Sequence, residues 1–278
     1  MASIAPPTAA GRVRPRLGVV KFASCDGCQL SLLDMQDDVL ALAERIDIVE
    51  FPEASSSRSA GPYDLLLVEG SVSTPDQAEE IKRMRAQARM LVTIGACAET
   101  GGVQALRNWM SLAEVAGTVY PRPADIDSLE HATPVSEHVN VDLELPGCPV
   151  STVQLREVVA SVLLGRRPQL PNEAVCLDCK RRGITCVLVT GTDHCLGPVT
   201  RTGCGALCPS VGRGCFGCFG PRENANPIGL ASGGRPADPA ARELPMLPIP
   251  LFTAWAEAWR ESARPAAATD EDPTDARH

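Results

Sequence analysis

The stretch that decides the fold is Leu17-Gly-Val-Val-Lys-Phe22, which continues into Ala-Ser-Cys25-Asp-Gly-Cys28. A short apolar run of this kind predicts a strand that is covered on both faces of a sheet. The two cysteines follow in a loop. Apolar residues at helical spacing then run from Leu30 to about Arg45. A strand, a cysteine-bearing loop and a helix in succession indicate the first unit of an α/β domain.

The same alternation continues along the first half of the chain. Thr74-Pro75 provides a helix N-cap followed by proline at the first helical position. Alternating strands and helices predict a parallel sheet, here a flavodoxin-like doubly wound one. The further segments that we assign are strands at Ile46–Phe51, Asp64–Val68 and Met90–Ile94, and helices at Gln77–Ala88 and about Thr152–Leu164.

Composition divides the remainder of the 278-residue chain. We predict a disordered lead over residues 1–15, the sheet domain over 16–168, an irregular second domain over 169–265 and a disordered tail over 266–278. Pro168 and Pro171 mark the boundary between the two domains. Within the second domain, the apolar stretch Leu247–Trp259 is expected to form a helix that packs on a partner.

Charge and hydropathy exclude several functional classes. The net charge is −8 and no long basic run occurs, which argues against nucleic acid as a partner. No apolar stretch approaches the roughly 20 residues of a membrane span. The first residues lack the apolar core of an export signal, so we expect a cytoplasmic protein.

Twelve cysteines are the most informative feature of the composition. Cys25, Cys28, Cys97 and Cys148 lie in loops that follow strands or precede helices. Because such loops converge at the carboxyl edge of a parallel sheet, all four thiols can meet in one pocket. Four thiolates suit one [4Fe–4S] cluster. The alternatives are a thioredoxin-like pair formed by Cys25 and Cys28, a structural zinc site, and ordinary buried cysteines.

The other eight cysteines are concentrated within about 40 residues that have many glycines and little periodicity. Eight thiols fit two further [4Fe–4S] clusters. We therefore predict that residues 169–265 form an irregular ferredoxin-like iron–sulfur domain. We group the eight thiols as two consecutive sets of four, and Cys208, which precedes Pro209, is the residue most expected to serve the other set. His194 is expected to form a hydrogen bond or lie at the surface. The eight are Cys176, Cys179, Cys186, Cys195, Cys204, Cys208, Cys215 and Cys218.

Four motifs, taken together, resemble the small subunits of nickel–iron hydrogenases. They appear in that family's order over about residues 16–165, and the second domain resembles the cytosolic, bidirectional NAD(P)-linked and sulfhydrogenase delta types. The motifs are Phe22-Ala-Ser-Cys25-Asp-Gly-Cys28-Gln, Val68-Glu69-Gly70-Ser71, Gly95-Ala-Cys97 with Gly101-Gly102, and Pro146-Gly-Cys148-Pro149.

The resemblance implies that Cys25, Cys28, Cys97 and Cys148 hold a proximal [4Fe–4S] cluster facing a large subunit that bears nickel and iron. It also implies that Glu69 lies near this cluster, although Glu69 could equally cap a helix or form a salt bridge. The chain would then be a hydrogenase subunit that carries electrons through three [4Fe–4S] clusters, without catalytic residues of its own. Electrons would pass reversibly to flavin- and NAD(P)-binding, iron–sulfur-containing subunits.

Two other functions stay open on the sequence alone. One is the cluster-bearing connecting subunit of a quinone- or ferredoxin-linked dehydrogenase, whose first motif typically has adjacent cysteines, unlike Cys25 and Cys28. The other is a zinc-stabilised interaction module without a redox role. The colour of the purified protein distinguishes the zinc module from an iron–sulfur protein, because zinc sites are colourless and iron–sulfur clusters are brown.

Overall fold

A computed structural model describes residues 14–193 and 195–226 of the chain. Five parallel strands form one sheet in the order β2-β1-β3-β4-β5. This is the flavodoxin-like order, in which the chain reverses direction across the sheet between β1 and β3. The strands are β1 (Arg16–Lys21), β2 (Asp47–Glu50), β3 (Tyr63–Glu69), β4 (Ala88–Ile94) and β5 (Leu143–Leu145).

Strand register aligns four residues in one row at the carboxyl edge of the sheet. Lys21 of β1 is level with Glu69 of β3, Glu69 with Ile94 of β4, and Ile94 with Leu145 of β5. The loops that leave this row therefore start side by side. This alignment positions the cysteines described below.

Helices cover both faces of the sheet, as the doubly wound prediction requires. One apolar cluster includes Leu17, Leu67 and Leu155 on one side, and another includes Val20, Leu66 and Ile81 on the other. The helices of this part are α1 (Gly27–Leu33), α2 (Asp37–Ala43), α3 (Pro75–Gln87), α4 (Gly95–Thr100), α5 (Leu112–Val119) and α6 (Thr152–Leu163).

Local sequence explains where two of these helices begin and end. Thr74 caps α3 in a capping box with Gln77, and Pro75 occupies the first turn, as predicted. The prediction of one helix from Leu30 to Arg45 is wrong. The chain breaks at Gln36, whose φ of 43° lies outside the right-handed helical region, and two short helices result. The sequence-based assignment also missed β5, which has only three residues.

The cysteine-rich region that follows α6 has little regular structure, in keeping with its lack of periodicity. It contains α7 (Val175–Arg181), α8 (Val187–Thr190) and α9 (Leu207–Ser210). Three 310 segments lie earlier in the chain, at Gly102–Trp109, Pro123–Asp125 and Val135–Glu137. Over the part of the chain that the structure describes, no helix has the length and apolar character that crossing a membrane requires.

Phe219 joins the two regions. Its ring is 3% exposed and lies between two glycines. A Cβ atom on Gly147 would approach the ring to 2.8 Å, and one on Gly203 would approach it to 2.0 Å. Gln154 of α6 also donates from its side chain to the carbonyl of Thr202, at 3.2 Å. The cysteine-rich region is therefore packed against the end of the sheet domain.

Candidate functional site: three groups of thiols

Four cysteines leave the sheet from its carboxyl edge. Cys25 lies in the loop after β1, and Cys28 lies in the first turn of α1. Cys97 is in α4, three residues beyond the end of β4, and Cys148 is three residues beyond the end of β5. The aligned strand ends therefore bring these loops to one place, as the sequence predicted.

The electrostatics of the thiols show that the four are neighbours. Burial and the charges of Cys148 and Cys25 raise the pKa of Cys97 to about 11. Burial and Glu69 raise the pKa of Cys28, and Cys97 and Cys148 raise it further. Each thiolate penalises the next one in a poorly solvated pocket. A cationic metal centre that binds all four would remove this repulsion.

Two glycines allow the thiols to approach the backbone closely. A Cβ atom on Gly95 would lie 2.3 Å from Sγ of Cys28, and one on Gly102 would lie 2.6 Å from Sγ of Cys97. Both residues have positive φ, at 83° and 57°. Any larger residue would therefore be strained as well as crowded at either position. The sequence signal for this feature is the glycine content of the motif around Cys97.

Glu69 supports the first cysteine motif from the end of β3. Its side chain is buried, and its two carboxylate oxygens accept the backbone N–H groups of Cys28 at 3.1 Å and Gln29 at 3.2 Å. Burial raises the pKa of Glu69, while these two N–H groups lower it. The carboxylate therefore caps α1, and its charge also acts on the thiols of Cys28, Cys97 and Cys148.

A second group of thiols forms around α7. The charges of Cys195, Cys179 and Cys186 act together with burial to raise the pKa of Cys176 to about 11. Burial, Cys195 and Cys186 raise the pKa of Cys179. Cys186 is exposed and immediately precedes α8. We call Cys176, Cys179, Cys186 and Cys195 the outer group.

The third group lies between the other two, and we call it the middle group. Burial raises the pKa of Cys218 to about 12, with contributions from Cys204, Cys148 and Cys208. Two contacts link this group to its neighbours. Cys148 is close enough to Cys218 for its backbone to lower the pKa of that thiol, and the backbone N–H of Cys215 donates to Sγ of Cys195 at 3.2 Å. The middle group is Cys204, Cys208, Cys215 and Cys218.

The chemistry of the thiols suits iron–sulfur clusters. All twelve cysteines are free thiols, and none forms a disulfide bond. Backbone N–H groups of Gly197 and Gly217 donate to cysteine sulfurs at 3.4 Å, as expected around clusters. Zinc needs its ligands within about 2.3 Å of one point. Among the described residues, no three Cys, His, Asp or Glu side chains are arranged to hold a single ion.

Several sequence-based expectations have distinct outcomes. Among the thiols, Cys204 of the same group raises the pKa of Cys208 most, and Cys195 of the outer group also raises it. That Cys208 crosses over stays a prediction. His194 and the stretch Leu247–Trp259 lie outside the described residues. Sequence reasoning missed Phe219, whose only signal is its position directly after Cys218.

Comparisons with known proteins identify the chains to which this one is similar. The model of the family "NADH ubiquinone oxidoreductase, 20 Kd subunit" matches residues 25–162. The chain is 37% identical over 215 residues to the sulfhydrogenase 2 subunit delta of Pyrococcus furiosus, covering 77% of this chain and 90% of the relative. It is 29% identical to a subunit of the F420-non-reducing hydrogenase of Methanocaldococcus jannaschii, covering 83% of this chain and 91% of that relative.

A solved structure of an NAD+-reducing [NiFe]-hydrogenase, in its H2-reduced state, contains a chain with the same fold. It is 32% identical with a TM-score of 0.54, and the match covers 57% of this chain and 96% of that one. The sulfhydrogenase match is longer than the sheet domain, so it extends into the cysteine-rich region. Shared sequence, fold and aligned length lead to one conclusion: this chain belongs to the family of hydrogenase small subunits that includes the sulfhydrogenase delta subunits.

Proposed function

We propose that this chain is the electron-transfer small subunit of a nickel–iron hydrogenase, and that it carries three [4Fe–4S] clusters. Electrons from H2 oxidation at the large subunit would cross it reversibly toward a flavin- and NAD(P)-binding module. The observation that carries the proposal is the convergence of Cys25, Cys28, Cys97 and Cys148 at one sheet edge, with two further groups of four thiols beyond them.

The clusters, when bound, supply one-electron redox chemistry, and the protein supplies ligands and surroundings. In this proposal Cys25, Cys28, Cys97 and Cys148 hold the proximal cluster, the middle group holds the medial cluster, and the outer group holds the distal one. The contact between Cys148 and Cys218, and that between Cys195 and Cys215, support this order. Glu69 holds the backbone of Cys28 and places a carboxylate beside the proximal thiols.

The partners follow from the relatives. The sulfhydrogenase 2 subunit delta of Pyrococcus furiosus and a chain of an NAD+-reducing [NiFe]-hydrogenase are similar to this chain, the latter over 57% of it. We therefore assign a nickel-bearing large subunit as the partner at the proximal end, and flavin- and iron–sulfur-containing subunits as acceptors at the outer end. A cytoplasmic complex is the corresponding location. We also retain a domain boundary near Pro168, just after α6.

Two alternatives are less well supported. A connecting subunit of a quinone- or ferredoxin-linked dehydrogenase shares the family model, but the similar proteins named above are hydrogenase subunits. A zinc-stabilised module would require compact sets of ligands around single ions. Within residues 14–193 and 195–226, no group of three or more Cys, His, Asp or Glu side chains is placed to hold a single ion.

The test is to purify the complex anaerobically from its host and to measure iron, nickel and flavin per complex. About twelve irons on this chain are expected, from four per cluster. Electron paramagnetic resonance of the H2-reduced complex should show interacting [4Fe–4S] centres. Cys97→Ser should abolish H2-dependent dye reduction, whereas Cys186→Ser should remove about four irons and leave the proximal signal. A colourless preparation that contains only zinc would refute the proposal.

A further inference from the structure

The cysteine-rich region has a charge opposite to that of the chain as a whole. Residues 175–222 contain six Lys and Arg but only two Asp and Glu, a net charge of +4, whereas the whole chain has a net charge of −8. Such an asymmetry creates a local field that attracts anionic partners. This charge asymmetry is read from the sequence alone, and the structure shows where part of the positive charge lies.

Three consecutive basic residues lie beside the outer group of thiols. Lys180, Arg181 and Arg182 are exposed at the end of α7, directly after Cys179. Lys180 is close enough to lower the pKa of Cys176, against the larger effect of burial. The positive charge is therefore located where the outermost of the three thiol groups approaches the surface. We call Lys180, Arg181 and Arg182 the basic patch.

Exposed apolar side chains adjoin the basic patch. The Arg182 guanidinium donates to the carbonyl of Gly205, which brings the start of α9 and the 64% exposed Leu207 alongside. Val189 of α8, which is 85% exposed, follows the exposed Cys186. Apolar contacts surrounded by complementary charge are typical of protein–protein interfaces.

Local structure accounts for only part of this charge. Basic residues in the last turn of a helix interact favourably with its dipole, and Arg181 pairs with Asp178 at 3.7 Å. An exposed pair of this kind contributes little to stability. Three consecutive cations therefore exceed what α7 needs, while their position beside the outer thiols suits an encounter with another molecule.

We propose that the basic patch is the docking surface of an acidic electron-transfer protein, which presents carboxylates around its own redox centre. This inference rests on the proposed function and names the partner at its outer end. In each exchange, one electron leaves the iron–sulfur centre held by the outer thiols and reduces the centre of the partner. No bond forms or breaks, and H2 oxidation at the large subunit supplies the electron.

The test compares two charge-neutralised variants of the complex of this chain with its large subunit, purified without the acceptor subunits so that the basic patch is uncovered. Lys180→Gln/Arg181→Gln removes two positive charges from the basic patch. Lys82→Gln/Arg122→Gln is the matched control, because both side chains are exposed and form pairs at i,i+3 spacing, as Arg181 does. The probes are an acidic plant-type [2Fe–2S] ferredoxin, a basic cytochrome c and a viologen dye.

With H2 as the electron donor, the patch variant should reduce the ferredoxin about five- to tenfold more slowly at low ionic strength, because steering by opposite charge is lost. The difference should disappear at about 0.5 M salt, where the Debye length is only a few ångströms. Ferredoxin binding should weaken in parallel. Rates with cytochrome c should not fall, and the control variant should resemble the wild type.

Dye reduction distinguishes a failure of the docking proposal from a failure of the proposed function. If dye reduction is normal but ferredoxin binding and reduction are the same in both variants, or if the wild type does not prefer ferredoxin to cytochrome c, the docking proposal is wrong and the proposed function stands. If the wild-type complex reduces no dye with H2 and this chain holds no iron, the proposed function itself fails.

Discussion

The thiol of Cys218 lies beside Cys148, whose charge raises the pKa of Cys218 and whose backbone lowers it. Cys148 belongs to the thiols gathered at the sheet edge, whereas Cys218 belongs to the middle group. A loop of the sheet domain therefore lies next to the cysteine-rich region at this point. Phe219, the residue after Cys218, packs against Gly147, the residue before Cys148, and so strengthens the same junction. Electron transfer falls off steeply with distance, so the rigidity of this junction matters for the proposed relay.

The first prediction concerns Gly95. A Cβ atom there would lie 2.3 Å from Sγ of Cys28, and the φ of 83° disfavours any side chain. Gly95→Ala should therefore displace the Cys28 thiol and lower the iron content of the chain by about four per complex. Gly117→Ala is the control, because a Cβ atom on Gly117 meets nothing within 4 Å. Equal iron content in both variants would show that the pocket tolerates the change.

The second prediction concerns Phe219. Removing a buried aromatic ring costs about 3–5 kcal/mol, and here it also leaves a gap between the two regions. Phe219→Ala should lower the unfolding temperature and slow H2-dependent reduction of a protein acceptor. Phe216→Ala is the matched control, because Phe216 is 37% exposed. Differential scanning fluorimetry and acceptor kinetics check both effects, and a Phe219 variant as stable as the Phe216 variant would contradict the packing argument.

Sequence reasoning was most successful where periodicity and strand ends determine position. The strand Leu17–Phe22 and the cysteines after it place the first four thiols, because the carboxyl ends of parallel strands must meet at one edge. It failed where no regular pattern exists. β5 has only three residues with Glu144 at its centre, so no apolar run marks it. The break at Gln36 depends on a single backbone angle, which spacing of apolar residues does not encode.

The grouping of the outer eight thiols illustrates the same limit. Consecutive fours are the simplest partition. The thiols that raise the pKa of Cys176 all come from its own set of four, whereas Cys195 affects the pKa of Cys215 more than Cys218 does, so the partition stays a prediction. However, the spatial order reverses the chain order, because the later group lies next to the sheet domain. Loops of irregular sequence carry no signal for such a reversal. It arises from tertiary contacts such as the one between Cys148 and Cys218.

The third prediction concerns the connection that leads into the cysteine-rich region. The Glu157 carboxylate accepts two bonds from Arg166, at 2.6 and 2.9 Å, and one from the backbone N–H of Gln169. These bonds and the one from Ser161 lower the pKa of Glu157 to about 2, with the Arg166 bond the largest cause. The pair stabilises the folded protein only while Glu157 is ionised.

A carboxylate with a lowered pKa contributes its full stability above its unfolded pKa, near 4.5, and loses it as the pH falls toward 2. Glu157→Gln should therefore unfold at a lower temperature than the wild type, by a constant difference from pH 8 to pH 5. The difference should shrink below pH 4.5. Melting curves at several pH values check this, and a difference that grows on acidification would contradict the assignment.

The fourth prediction concerns Glu69, whose two oxygens each accept one backbone N–H. Glu69→Gln leaves one amide oxygen for two donors and presents an NH2 group to the other, so it should cost about 1–3 kcal/mol of stability. It also removes a negative charge that adjoins Cys28. Because a nearby anion disfavours added electrons, the reduction potential of the proximal centre should become more positive.

Redox titration followed by electron paramagnetic resonance measures that shift. The matched control is Glu50→Gln, because Glu50 is also buried and accepts a hydrogen bond from Tyr63 at 2.8 Å. Glu50 lies level with Gly18 of β1, three residues before Lys21, which is level with Glu69. Its replacement should lower stability but leave the potential unchanged. If both variants shifted the potential equally, the effect would come from general loosening of the fold rather than from the carboxylate beside Cys28.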